Sequence, residues 1–128
     1  MPSNPNILVI SFSDIRRDAR LLRQLSVVKD FGHVTTLGYG SQPAVSDEHL
    51  QIPSDMPSLP QTVPGVLKLA LRLHGASEFA APALRRAREL LQGRQFDLVI
   101  SNDARALPVA FYAAGDSTPV WADLHEWA

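Results

Sequence analysis

The 128-residue chain has no cysteine, so disulfides, thiolate metal ligands and a cysteine nucleophile are excluded from it. It also lacks an excess of either charge: 12 basic and 13 acidic residues leave a formal net charge of -1. That balance supplies no field for holding phosphates, which argues against a nucleic-acid partner. No stretch approaches the ~20 apolar residues that span a bilayer. The start, Met1-Pro-Ser-Asn-Pro-Asn6, has no basic region ahead of an apolar one, so no signal peptide is read there. The turn Ser11-Phe-Ser-Asp-Ile-Arg-Arg-Asp18 contains no glycine. A dinucleotide fold needs Gly-x-Gly-x-x-Gly at that place, because only glycine lets the backbone approach a pyrophosphate. NAD and FAD are therefore not expected. A Gly-x-x-x-x-Gly-Lys-Ser/Thr phosphate loop is missing as well, and no cofactor or metal is expected. With 45% hydrophobic and 20% charged residues, the expectation is one soluble, cytoplasmic, globular domain over residues 1–128.

What is present alternates between strand and helix patterns. Asn6-Ile-Leu-Val-Ile-Ser-Phe12 is a short β-branched apolar run, the mark of a strand buried on both faces. Ser13 and Asp14 offer capping oxygens for a helix whose stripe is Ile15, Ala19, Leu22, Leu25 and Val28. Gly32 reads as its C-cap, and His33-Val-Thr-Thr-Leu-Gly38 as a second strand. The unit is βαβ, which implies a parallel pair. From Tyr39 to Gly65 five prolines break the pattern, with His49-Leu-Gln-Ile52 a candidate third strand inside it. A span of this kind is expected to be mobile or functional. Helical patterning returns at Val66 to His74 and again from Ser77 to Gln92, closed by Gly93. A strand at Phe96, a helix and a strand at Val120 complete the chain.

Two of these strands end in polar clusters, Ser101-Asn-Asp103 and Asp123-Leu-His-Glu126. Open parallel sheets bind ligands at the carboxyl edge, where such residues collect. Asp123 and His125, two apart, share a face of an extended chain, but one histidine and one carboxylate fall short of the three or four ligands of a metal site. His125 reads either as a strand-end histidine hydrogen-bonded to a neighbouring carboxylate or as a functional imidazole. Arg16, Arg20 and Arg23 read as a solvated helix face, whereas Arg17 lies close enough to the sheet edge to reach a ligand or Asp18. The Val66 to Leu73 segment, with Lys68 and Arg72 on its polar side, reads as core or as a peripheral membrane contact.

Taken in order, these pieces resemble the N-terminal half of a GT-B glycosyltransferase of the retaining, nucleotide-sugar-dependent, family-4-like type. Asp14-Ile-Arg-Arg-Asp-Ala-Arg-Leu-Leu-Arg-Gln-Leu25 with Gly32-His33-Val34 is similar to the family pattern Arg-Val-x-Arg-Glu-Ala, a leucine stripe and Gly-His-x-Val. Asp14 stands where the family often has arginine. Phe96-Asp-Leu-Val-Ile-Ser-Asn-Asp103, Leu107-Pro108 and Asp123-Leu-His-Glu126 are similar to Asp-Val-Val-His-x-Asn/His-Asp, Leu-Pro and Tyr-Asp-x-His-Glu. Trp121-Ala122 replaces the usual Val-Tyr, and residues 42–77 match nothing specific.

The resemblance implies an α/β, three-layer αβα Rossmann-like domain with a mostly parallel sheet of five or six strands. It implies an acceptor-binding half that is inactive alone. Its partners would be its own C-terminal GT-B domain, bearing the Glu-x7-Glu motif and most of the nucleotide-sugar contacts, and a sugar, lipid or glycan acceptor. The nucleotide-sugar is a substrate, not a cofactor. His125 maps to the region from which a histidine reaches the donor sugar. Ser13, Asp14, Arg17, Asn102, Asp103, Asp123 and Glu126 are the candidate substrate-binding residues. The rival readings are a noncatalytic flavodoxin-like or receiver-like binding module, for which Asp14 alone is a poor acidic cluster, and a sugar-nucleotide epimerase, disfavoured by the glycine-free first turn.

Overall fold

In the computed structural model, residues 4–56 and 82–123 are described. They form five strands and three helices: β1 (Asn6–Asp14), α1 (Ala19–Val28), β2 (His33–Tyr39), β3 (Glu48–Ile52), α2 (Pro82–Leu91), β4 (Leu98–Ser101), α3 (Leu107–Ala114) and β5 (Val120–Ala122). The sheet order is β3-β2-β1-β4-β5, and every pairing is parallel. The fold is the expected α/β, Rossmann-like three-layer arrangement. The helical pattern at residues 66–74, His125 and Glu126 lie outside the described residues.

Ile7, Leu8, Val9 and Ile10 are all buried, as a central strand with both faces covered requires. Their side chains alternate between two cores. Ile7 and Val9 join Leu21, Leu25 and Val28 of α1, together with Val34 and Ile100. Leu8 and Ile10 join Leu37 and Val99, with Ala83, Leu84, Ala87 and Leu91 of α2 and Val109, Ala110 and Ala114 of α3. Each fully buried aliphatic side chain stabilises the fold by about 1.5–3 kcal/mol, so β1 is its most heavily committed strand. Helix α1 therefore lies on one face, and α2 and α3 lie on the other.

The ends of these elements differ from the sequence expectation in instructive ways. Strand β1 runs on to Asp14 and a 3₁₀ turn, Ile15–Arg17, follows it. The cap of α1 is therefore Asp18, whose carboxylate accepts from the Leu21 N–H at 3.2 Å, and neither Ser13 nor Asp14 serves there. Helix α1 stops at Val28, ahead of Gly32. Gly32 is needed for another reason: a methyl group there would overlap the Pro5 carbonyl oxygen, which accepts from the His33 N–H at 2.9 Å. Gly93 does behave as an end signal, with φ of 81° just beyond α2.

The proline-rich span is crossed by a strand. β3 pairs with β2 from Thr35↔Glu48 to Tyr39↔Ile52 after a connection of residues 40–47 that contains no helix. Lys29 bonds Asp47, whose other oxygen accepts from the Val34 N–H at 2.8 Å, and the two contacts hold this short crossover against the sheet. Among the described residues no helix covers β3 on the α1 side, and its residues there are polar, namely the half-buried His49 and the exposed Gln51.

Gly38 is a sharp constraint. A Cβ at this position would overlap the Ser11 carbonyl oxygen and crowd that of Ser13. Backbone cannot swing aside as a flexible side chain can, so Gly38→Ala is expected to cost about 1–3 kcal/mol, the range for overpacking a buried site. Urea unfolding of the pair would check this, through a lower midpoint at an unchanged slope.

Candidate functional site

The sheet reverses its winding between β1 and β4. The chain leaves β1 for α1 on one face, and leaves β4 for α3 on the other, so the connections that follow these neighbouring strands diverge, the place where open parallel sheets form their ligand crevice. Ser13, Asp14 and Arg17 follow β1, Asn102 and Asp103 follow β4, and Asp123 follows β5. The structure brings all six to that one edge. Its opposite edge has a concavity of about 640 Å³ lined by Phe96, Asp97, Tyr112, Asp116 and Thr118. None of the strand-end residues lines it, and ligands of open parallel sheets bind at the carboxyl edge, so size alone does not make it the site.

At the crevice β1 departs from its ladder. Ile10 is opposite Leu37, but the next pair is Asp14 opposite Tyr39, so Ser11, Phe12 and Ser13 bulge out of register. β4 ends at Ser101 and offers no carbonyl to Phe12. The freed Phe12 N–H donates instead to Oδ2 of Asp103, which also accepts from the Ser11 hydroxyl at 3.3 Å. Oδ1 of the same carboxylate accepts from Arg105 at 3.2 Å. Asp103 is only 3% exposed. Its carboxylate faces inward and fixes the bulge.

Asn102, 2% exposed, is equally internal. Its amide and that of Gln24 on α1 exchange hydrogen bonds in both directions, at 3.0 and 3.1 Å. The second N–H of Gln24 points to Oδ2 of Asp123 at 3.5 Å, and Arg20 donates to Oδ1 of Asp123 at 3.1 Å. The Asp123 N–H donates to the Ser101 carbonyl at 2.7 Å, which continues the β4–β5 pairing past the strand. Two consecutive turns of α1 thus tie together the ends of β4 and β5. Sequence reading put Arg20 on a solvated face and gave Gln24 no role. Their four-residue spacing places them on one helix face, but nothing local reveals what that face meets.

Asp14 and Arg17 are more open. Arg16 donates to both Asp14 oxygens, at 3.3 and 3.2 Å, and Arg17 lies 3.5 Å away. The hydrogen bond from Arg16 is the main cause holding the Asp14 carboxyl below its usual range. The Arg17 side chain is 83% exposed, and of the described candidates it is the freest to meet a ligand.

His49 lies beside this cluster and was missed as a titrating group. Its Nε2 bonds the Gly40 carbonyl at 2.9 Å, and Nδ1 is 2.7 Å from the Thr36 hydroxyl. A carbonyl only accepts, so the neutral ring carries its proton on Nε2 and takes the Thr36 hydroxyl proton at Nδ1. Burial is the main influence and lowers the His49 pKa below its usual 6.5, against the opposing Gly40 bond. The unfolded chain therefore takes up this proton first as the pH falls. The stability linked to His49 is complete above pH 6.5 and is lost as the pH falls below that value towards the lowered one. Urea midpoints should drop between pH 7.5 and 5.5 in the wild type, and His49→Gln should flatten that slope.

The Asn102–Gln24 pair makes a second checkable statement. Removing the Gln24 amide leaves the buried Asn102 amide without this partner, so Gln24→Leu should destabilise by about 1–3 kcal/mol. Asn102→Leu should lose less through this bond, because its partner Gln24 is only half-buried and can turn to water. In a double-mutant cycle, the pair should show a coupling of roughly 0.5–3 kcal/mol. Additive effects would mean that the bond contributes nothing.

Comparison of the chain with family models, curated proteins and solved structures finds no match. Among the described residues no three His, Asp or Glu side chains gather as a metal site would need, and no helix is long and apolar enough to cross a membrane.

Proposed function

We propose that the domain is the acceptor-binding, N-terminal half of a retaining glycosyltransferase. In this reading, a sugar passes from a nucleotide-sugar held mainly by a second α/β domain to an acceptor in the crevice described above. One observation carries the reading: the segments after β1, β4 and β5 share the edge that holds the switch point, and Asp14, Asp103 and Asp123 there each pair with an arginine. Asp14 pairs with Arg16 and Arg17, Asp103 with Arg105, and Asp123 with Arg20. An edge with its charges balanced has little attraction for a bare phosphate but many directed donors and acceptors for a neutral, hydroxyl-rich ligand. The family resemblance of the Asp14–Leu25 and Asp123–Glu126 stretches supports the same reading.

The roles divide accordingly. Arg17, Ser13 and Asp14 face the acceptor, while Asn102 and Asp103 shape the crevice wall from inside. His125 and Glu126, which follow Asp123 in the sequence, would act on the donor sugar. The His125 imidazole would donate to the transferred sugar as oxocarbenium character and leaving-group charge develop, a gain made mostly in the transition state. The domain by itself is expected to be inactive, because the diphosphate is stabilised by the other half.

The test uses the full-length enzyme with a panel of nucleotide-sugars. His125→Ala should lower kcat roughly 10²-fold, the scale of one lost preorganised donor, with little change in Tm. Retained turnover alongside a large drop in Tm would make His125 structural, and no transfer or donor hydrolysis with any nucleotide-sugar would favour a noncatalytic binding module.

A further inference from the structure

Hydrogen bonds between hydroxyl groups usually have no fixed direction, because either oxygen can give the proton. At the end of β1 the direction is fixed. Oδ2 of Asp103 receives the Phe12 N–H, and Oδ1 receives the Arg105 guanidinium. With donors on both oxygens and an arginine beside it, this carboxyl group is ionised and can only accept. The Ser11 hydroxyl, buried and 3.3 Å from Oδ2, gives its single proton to that oxygen. Its lone pairs then remain for Ser13, whose Oγ lies 2.9 Å away, so the Ser13 proton goes to Ser11. Ser13 is half-exposed at the crevice, and Ser11 is its hydrogen-bond partner among the described residues. Its proton is committed inward, and its outward lone pairs can only accept.

We propose that Ser13 is the outer end of this directed chain and forms a subsite that binds a ligand hydroxyl group as a hydrogen-bond donor. It discriminates against groups of similar size that can only accept. The identification of the ligand as a sugar-like or polyol alcohol rests on the transferase reading, whereas the direction of the chain rests on Asp103 alone. A neutral alcohol suits a neutral terminal hydroxyl whose neighbouring charges are already paired. The selectivity has a physical origin: an ether or fluorine facing Ser13 sets acceptor against acceptor, and the serine cannot turn without abandoning Ser11.

The test is a titration of the isotopically labelled chain, followed through the amide signals of Ser11 to Asp14 and of Asn102 and Asp103. The probes are methyl β-D-glucopyranoside and its monodeoxyfluoro analogues, in which fluorine replaces one hydroxyl with little change in size. The glucoside should move these signals, and at least one analogue should bind roughly tenfold more weakly, the equivalent of one hydrogen bond. That penalty should vanish in Ser13→Ala. It should shrink in Ser11→Ala, where the Ser13 proton is released to face the ligand. Should Ser11→Ala not fold, Ser13→Ala, a change at a half-exposed position, decides the matter by itself. The proposal is overturned if the glucoside leaves the signals unmoved, if all analogues bind alike, or if the penalty survives Ser13→Ala. No nucleotide-sugar is present in this experiment. Failure here leaves the turnover test of His125 standing, and failure of that test leaves the direction of the chain standing.

Discussion

Strand β1 must satisfy two demands that conflict. Along Ile7–Ile10 it is hydrogen-bonded on both sides and buried on both faces, while at its carboxyl end it must leave the sheet to open a crevice. A strand that leaves its ladder strands backbone donors, and a buried N–H without an acceptor costs about 1–3 kcal/mol. The carboxylate of Asp103 resolves the conflict by accepting from Phe12 where no strand carbonyl reaches it. The cost moves to burying a carboxylate, which Arg105 and the Ser11 hydroxyl offset. Gly38 completes the arrangement on the other side, since the bulged carbonyls of Ser11 and Ser13 occupy the space a side chain would take. Crevice, bulge and hydroxyl chain all depend on this one accommodation.

The same economy governs the charges of the edge. Arginines of the first turn and of α1 neutralise Asp14 and Asp123, while Arg105 neutralises Asp103 from the α3 side. Exposed pairs of this kind contribute little to stability, and salt screens them further. Their larger effect is on what the edge can recognise. Long-range attraction is small, so discrimination falls to short, directed hydrogen bonds, and these need a rigid frame. The reciprocal Asn102–Gln24 amides supply part of that frame, with both hydrogens of each amide aimed at an acceptor.

The layer order and the sheet could be read from the sequence because they follow from local pattern. The β-branched run at Ile7, the leucine stripe of α1 and even the short strand at His49 all carry their periodicity within a few residues. What could not be read depends on partners far along the chain. Gln24 meets Asn102 78 residues away, Arg20 meets Asp123 across 103, and Phe12 meets Asp103 across 91. No spacing rule reaches that far. In the sequence Ser13 and Asp14 read as the caps and Asp18 does not, because the start of α1 depends on how far β1 extends, and that is set by the pairing of Asp14 with Tyr39 on another strand. The strand-end residues were identifiable as an edge cluster. Their division into inward supports, Asn102 and Asp103, and outward groups, Ser13, Asp14 and Arg17, emerges only from burial.

The position of β5 explains why α1 carries so much of this site. β5 is three residues long and, among the described residues, is paired on one side only, by β4. Trp121, whose register partner Ile100 faces α1, is 59% exposed, so little packs over that strand. A short strand held from one side frays readily, and the residue that follows it would wander most. Asp123 is instead held by the Ser101 carbonyl from within the sheet and by Arg20 and Gln24 from the helix above it. Because Gln24 also holds Asn102, movement of Asp123 is coupled to the wall of the crevice. Among the described residues, the lateral restraint of this end comes from two side chains of α1, which places the mechanical support of the β5 end on the same helix that follows Ser13 and Arg17.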